Sequence, residues 1–119
     1  MAVIKSLRKK VIQTEIKIKN LCPHDIVIKD ANNKFWTIKP EPIAARVETD
    51  FKPMFYIGAI GIFKRDFIQT TNLPPVTDGT MYIVSRQVAS FNMNRKDLLV
   101  PTKMWEENGV SFCCDLEIL

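Results

Sequence analysis

Between Val11 and Asn20 apolar and polar residues alternate. Ile12, Thr14, Ile16 and Ile18 fall on one side, and Gln13, Glu15, Lys17 and Lys19 on the other. A period of two carried by β-branched residues predicts a half-buried strand. Residues 1–10 have a weaker pattern, in which Val3, Ile4, Leu7 and Val11 suit a short helical stripe or an arm packed on a neighbour. In Cys22-Pro23-His24-Asp25, Pro23 lacks an N–H and has a fixed φ, so the first strand ends there. Ile26-Val27-Ile28 begins the next strand. Asp30-Ala31-Asn32-Asn33 reads as a hairpin connection, because Asp and Asn tolerate left-handed backbone and bond their own main chain. Lys34–Lys39 returns as a strand with Trp36 and Ile38 on one face, and Pro40-Glu41-Pro42 breaks it.

Further along, Ala45–Glu48 predicts a short strand and Tyr56–Gln69 one or two more. The longest apolar run, Met54–Phe63, has Gly58 and Gly61 inside it. It is well short of the roughly twenty residues a membrane-spanning helix needs. It therefore predicts a buried strand or strand pair, with a glycine marking a bend or bulge. Asn72-Leu73-Pro74-Pro75 with Asp78-Gly79 is a loop of turn chemistry. Met81-Tyr82-Ile83-Val84 predicts a buried strand, after which Ser85 caps a short helix over Arg86–Met93 on Val88, Ala89 and Phe91. Leu98-Leu99-Val100 is a strand ending at Pro101, Glu107-Asn108-Gly109 is a second hairpin turn, and Val110–Leu119 closes as a strand. The expected class is α+β, mainly β, with about eight short, mostly antiparallel strands and one or two short helices. Residues 1–19 form a basic extension and first strand, followed by a single strand-rich domain over 20–119.

Charge narrows the reading. The formal net charge of +4 is concentrated at the start: residues 1–20 carry Lys5, Arg8, Lys9, Lys10, Lys17 and Lys19 against Glu15 alone. Duplex readers spread Lys and Arg along one face, so nucleic acid is not the expected partner. The three cysteines, Cys22, Cys113 and Cys114, make a poor disulfide framework, and neighbouring strand residues such as Cys113 and Cys114 point to opposite faces. Met1–Lys10 has charges without the apolar run of a secretory signal, and the expectation is a reducing, intracellular compartment.

Residues for three kinds of chemistry are present. Cys22 and His24 with Cys113-Cys114 offer zinc-type ligands, but their spacing is not that of paired knuckles, so no metal or other cofactor is expected. A Cys–His nucleophile would depend on His24, the single histidine, meeting a thiol through the fold, and nothing local brings them together. Phosphate or nucleotide capture has more parts. Arg46, Arg65 and Arg95 suit phosphate oxygens, Asp97 and Asn20 suit sugar or base, Tyr82, Phe91 or Trp36 suits base stacking, and His24 and Ser85 shape the pocket. Each also has a plainer reading, in which Arg95 with Asp97 is a loop-ordering salt bridge and Asn20 and His24 stabilise a turn.

Several segments together resemble a family of small phage- and prophage-encoded proteins. Asn20-Leu21-Cys22-Pro23-His24-Asp25-Ile26 is similar to that family's Asn-Leu-Thr-Pro-His opening, followed by Ala45-Arg46-Val47. Asn72-Leu73-Pro74-Pro75 and Gly79-Thr80-Met81-Tyr82-Ile83-Val84-Ser85 resemble its Gly-Leu-Pro…Gly-Thr-x-Tyr-Ile-Val-Ser run. Val88 with Arg95-Lys96-Asp97-Leu98-Leu99-Val100-Pro101, and Cys113 with Leu116, complete the likeness over residues 20–119. Cys22 stands in place of the usual Thr and Asn72 in place of the usual Gly, and the first twenty residues extend beyond the usual start. The resemblance implies a phage protein in the host bacterial cytoplasm. The expectation is a non-enzymatic, homo-oligomeric binding protein with a small phosphorylated nucleotide ligand, an anti-defence sponge for a nucleotide immune signal. A structural, assembly or protein-interaction module, anchored by apolar residues such as Met54, Phe55 and Trp105, is the alternative. A nucleotide-cleaving enzyme is third, and one histidine without an acidic cluster gives it few parts.

Overall fold

The structure, a computed structural model, describes residues 15–119. The predicted start of the first strand at Val11 and the helical stripe over residues 1–10 lie outside the described residues. In chain order the elements are β1 (Lys17–Asn20), β2 (Ile26–Lys29), β3 (Phe35–Ile38), β4 (Arg46–Ile57), β5 (Ile60–Thr71), β6 (Thr80–Ile83), α1 (Arg86–Ser90), β7 (Leu98–Pro101), β8 (Met104–Glu107), β9 (Val110–Cys113) and β10 (Leu116–Glu117). The class is the expected α+β, mainly β. No helix among the described residues is long and apolar enough to cross a membrane.

One sheet runs β1-β6-β7-β10 and a second runs β3-β2-β9-β8. The expected antiparallel pairing holds for β2–β3 and β8–β9, which are hairpins. It fails for β1–β6, β6–β7 and β2–β9, which pair in parallel across long connections. The closing segment is two strands, because Cys114-Asp115 breaks it between β9 and β10. In the β8–β9 turn Asn108 (φ 52°) and Gly109 (φ 79°) both occupy left-handed backbone. That is what an Asn-Gly type I′ turn requires, and Asn and Gly tolerate it best.

The core follows from the pleat of β6 and β7. Tyr82, Leu98 and Val100, continued by Val84 just past β6, face one side and join Leu21, Ala45, Val88 and Ala89. Ile83 and Leu99 face the other side and join Cys22 and Ile26, with Ile28 and Ile38 packed against them. The central strands are thus covered by α1 on one face and by the second sheet on the other. This is why Tyr82-Ile83-Val84 and Leu98-Leu99-Val100 are unbroken apolar runs. Ser85 caps α1, its hydroxyl accepting from the Val88 N–H at 3.2 Å. The helix is shorter than expected, ending at Ser90, with Val88 and Ala89 buried beneath it.

Met54–Phe63 is the expected strand pair with a glycine at its bend, but it is largely exposed and not buried. It is the far half of a twelve-residue-per-strand hairpin, β4–β5, that forms its own two-stranded sheet. Gly58 (φ 59°) makes the turn, as the first position of a II′ hairpin turn demands. The radius of gyration is 18.1 Å, against roughly 13–14 Å for a compact chain of this length. The ribbon departs from the compact form because it is joined to the body at its base. There Val47 packs on the core, Phe67 stacks on Phe91 with centroids 4.7 Å apart, and the Asn92 amide donates to the Thr70 hydroxyl at 2.9 Å.

Candidate functional site

The predicted phosphate-binding residues are distributed over separate parts of the molecule. Asn20 is fully buried at the end of β1. Its Nδ2 donates to the His24 carbonyl at 2.8 Å and the Ile38 carbonyl at 2.9 Å, and its Oδ1 accepts from the Cys22 N–H at 2.8 Å. Every polar group of that amide is therefore engaged, and Asn20 is a strut that ties β1, the Pro23 turn and β3 together, not a ligand contact. Arg95 is also committed. Its Nε and Nη2 donate to the two Asp97 carboxylate oxygens at 2.8 Å each, and Nη2 also donates to the Pro74 carbonyl at 2.9 Å. The pair is mostly enclosed, and the Arg95 guanidinium holds the Asp97 carboxyl below the usual carboxylate range. The plainer reading, a salt bridge that orders the Leu73–Pro75 loop, describes it. Tyr82 is buried in the core and has no free face for a base.

Arg65 lies on the ribbon. It donates to the Thr49 hydroxyl at 2.9 Å and stacks over the Phe51 ring at 4.3 Å. Arg46 is on the same ribbon, opposite Thr71, whereas Arg65 is opposite Phe51. Five residues of strand separate the two positions, about 17 Å. The pleat also puts them on opposite faces. The three guanidinium groups do not converge.

Only a subset of the predicted residues comes together. Pro23 and Ser85 are shared by two adjoining cavities, one of about 440 Å³ reached by His24, Arg86 and Thr102, and one of about 250 Å³ reached by Arg46 and Gln87. Both are open to solvent. His24 is exposed on its turn, with Nδ1 3.0 Å from the Asp25 carbonyl, and Arg86 is paired with Glu117 at 2.8 Å. Cys22 and Cys113 are buried, and burial pushes both thiols up, away from the thiolate form a nucleophile or metal ligand needs. Cys114 points outward, as alternation predicted. Among the described residues no group of three or more His, Cys, Asp or Glu side chains is placed to hold a metal.

Of the ribbon's apolar surface, sequence reasoning singled out only Met54 and Phe55. Cross-strand register places Thr49, Phe51, Pro53, Phe63, Arg65 and Phe67 on one face, and Asp50, Lys52, Lys64 and Asp66 on the other. On the first face Phe51 and Phe63 meet edge to face at 6.3 Å, and Tyr56 and Phe63 close over Gly61. A Cβ at Gly61 would come within 2.9 Å of the Phe63 ring and 3.3 Å of the Tyr56 ring, so the glycine makes room for the aromatic pair. Phe67 extends the row to Phe91 on the body. On the second face Lys52 and Lys64 both reach Asp66, at 3.0 and 3.7 Å.

The tip adds Met54, Phe55, Ile57 and Ile60, all more than half exposed. The usable signal was charge at every second position, Glu48, Asp50 and Lys52 on one strand and Lys64 and Asp66 on the other, which marks a ribbon with one wet face. Met54 and Phe55 are exposed as the interaction reading supposed, and Trp105 is half exposed on β8 under Lys103. No family model, curated protein or solved structure matches the chain.

Proposed function

We propose that this chain is a non-enzymatic interaction module whose working surface is the aromatic face of the β4–β5 ribbon. The observation that supports the reading is the exposure of Phe51, Tyr56 and Phe63, at 60%, 69% and 55%, on an element that leaves the body. Monomeric proteins seldom expose a contiguous apolar patch beyond a few hundred Å² without a partner for it. Aromatic residues with one arginine among them are also the composition of interface cores. A photo-reactive residue placed at Phe63 in the full chain, expressed in cells, tests this. A discrete protein adduct from position 63, with none from position 52 on the opposite face, is the expected result. Equal labelling at both positions, or no adduct at 63, contradicts it.

A second reading keeps the nucleotide ligand in reduced form. Arg46, Ser85 and His24 surround Pro23, and Arg86 stands at the rim, so a phosphate would meet cations and hydroxyls there. The phage origin and the anti-defence role rest on the resemblance of residues 20–119 described above. A panel of cyclic and ADP-ribose-type nucleotides should raise the melting temperature of the protein and lose that effect in Arg46→Ala. No shift with any of them removes this reading.

A further inference from the structure

We infer that the partner of the ribbon's aromatic face is the same face of a second copy of this chain, packed about a two-fold axis. This rests on the interaction reading above and names the occupant. Three observations favour a second copy. The first is area. Phe51, Tyr56, Phe63 and Phe67 on that face are between 42% and 69% exposed, and Met54, Phe55, Ile57 and Ile60 continue the apolar surface around the tip. At typical side-chain sizes the face presents roughly 500 Å² and the tip about as much again, so a pair that closes over both reaches what each partner contributes to a stable dimer.

The second is the ribbon's own stability. A two-stranded hairpin held only at its base is marginal in water. Its covering partner must therefore be present whenever the chain is folded, and another copy of the chain meets that condition without a second gene product.

The third is charge. Arg46–Thr71 carries four cationic side chains and three carboxylates. On the outward face Lys52 and Lys64 pair with Asp66, and Arg65 on the aromatic face is held by Phe51 and Thr49. Nothing there steers a strongly charged partner such as a nucleic acid, whereas a face whose one charge, Arg65, is already engaged by Phe51 and Thr49 is compatible with itself. The edges bear on geometry. Pro53 interrupts β4 as a pairing edge, and bulges next to Glu48 and Pro53 twist the ribbon. Continuous growth of the sheet from chain to chain is thereby opposed, and a closed pair formed face to face is left as the arrangement.

Sedimentation equilibrium of the full chain over a dilution series is the test, with Phe51→Ser/Phe63→Ser as the face variant and Lys52→Gln as the outward-face control. The expected result is twice the chain mass for the wild type and for Lys52→Gln, and a dissociation constant weakened by more than about tenfold in the face variant. The dilution series on the wild type needs no variant, so a face variant that fails to fold does not blunt the test. A wild type that stays at one chain mass throughout overturns the inference; if position 63 still labels another protein, the interaction reading stands without it. A dimer unaffected by the face variant also overturns the inference, and the interaction reading is then decided by the labelling at position 63. Mass gained only on adding single-stranded oligonucleotide assigns the face to nucleic acid and overturns the second-copy inference.

Discussion

Replacing Asn20 with alanine separates a strut from a ligand contact. The side chain has no exposure and makes three hydrogen bonds, two as donor and one as acceptor. Its loss strands the Cys22 N–H and the Ile38 carbonyl beside a void, while the His24 carbonyl, on an exposed turn, regains water. Two stranded groups at about 1–3 kcal/mol each, beside a void that the surroundings partly relax into, put the total at about 3–4 kcal/mol. That is a large part of the roughly 5–15 kcal/mol by which a domain is stable, and corresponds to a melting temperature lower by about 10–15 °C.

Urea unfolding followed by the fluorescence of Trp36 and Trp105 and by far-ultraviolet circular dichroism measures it, with the denaturant slope unchanged. Asn20→Asp is expected to be worse than alanine at neutral pH, because a carboxylate would face the two carbonyls it replaces as donor. Burial and that repulsion raise the new carboxyl's pKa, so its deficit shrinks as pH falls and the group is protonated. A loss below about 1 kcal/mol in Asn20→Ala, with weakened ligand binding instead, would refute the reasoning.

Three further outcomes follow from the same contacts. Asp97 has a folded-state pKa depressed by Arg95. Its stabilisation is therefore complete above the unfolded value near 3.9 and lost as pH falls through the folded one. Asp97→Asn should cost about 2–3 kcal/mol at neutral pH by leaving Arg95 unpaired, and should flatten the acid limb of a stability–pH profile; an unchanged acid limb contradicts it. Ser85→Ala removes the cap of α1 and should cost about 1 kcal/mol in urea unfolding, with Ser85→Asp retaining most of it. Gly58→Val meets no neighbour within 4 Å but forces a β-branched residue to φ 59°, so it should cost about 1–2 kcal/mol of strain, read as a lower melting temperature.

The body of the fold was legible because its signals are local. Tyr82-Ile83-Val84 and Leu98-Leu99-Val100 are apolar on both faces, which only strands covered on both sides sustain. Asn108-Gly109 specifies its turn by backbone conformation alone. The parallel pairings were hidden, since β1 with β6 and β2 with β9 are chosen by contacts distant in sequence. Asn20 was misread for the same reason: a polar residue at a strand end looks like a binding group until Ile38, eighteen residues on, is known to accept its amide. The ribbon was misread for a different one. Burial of apolar residues is a tendency within a chain, and Met54–Phe63 does not say which molecule covers it. Of the candidate site, the pattern identified residue types suited to phosphate but not their separation, which the pairing register of β4 with β5 and the Arg95–Asp97 bond decide.

Amide hydrogen exchange across the β4–β5 ribbon, compared between concentrated and dilute protein, tests the covered-face account most directly. If the aromatic face is an interface, amides from Thr49 to Phe67 are protected in concentrated solution and lose that protection on dilution or in Phe51→Ser/Phe63→Ser, while those of β6 and β7 do not change. Ribbon amides that exchange at one fast rate at every concentration would contradict it.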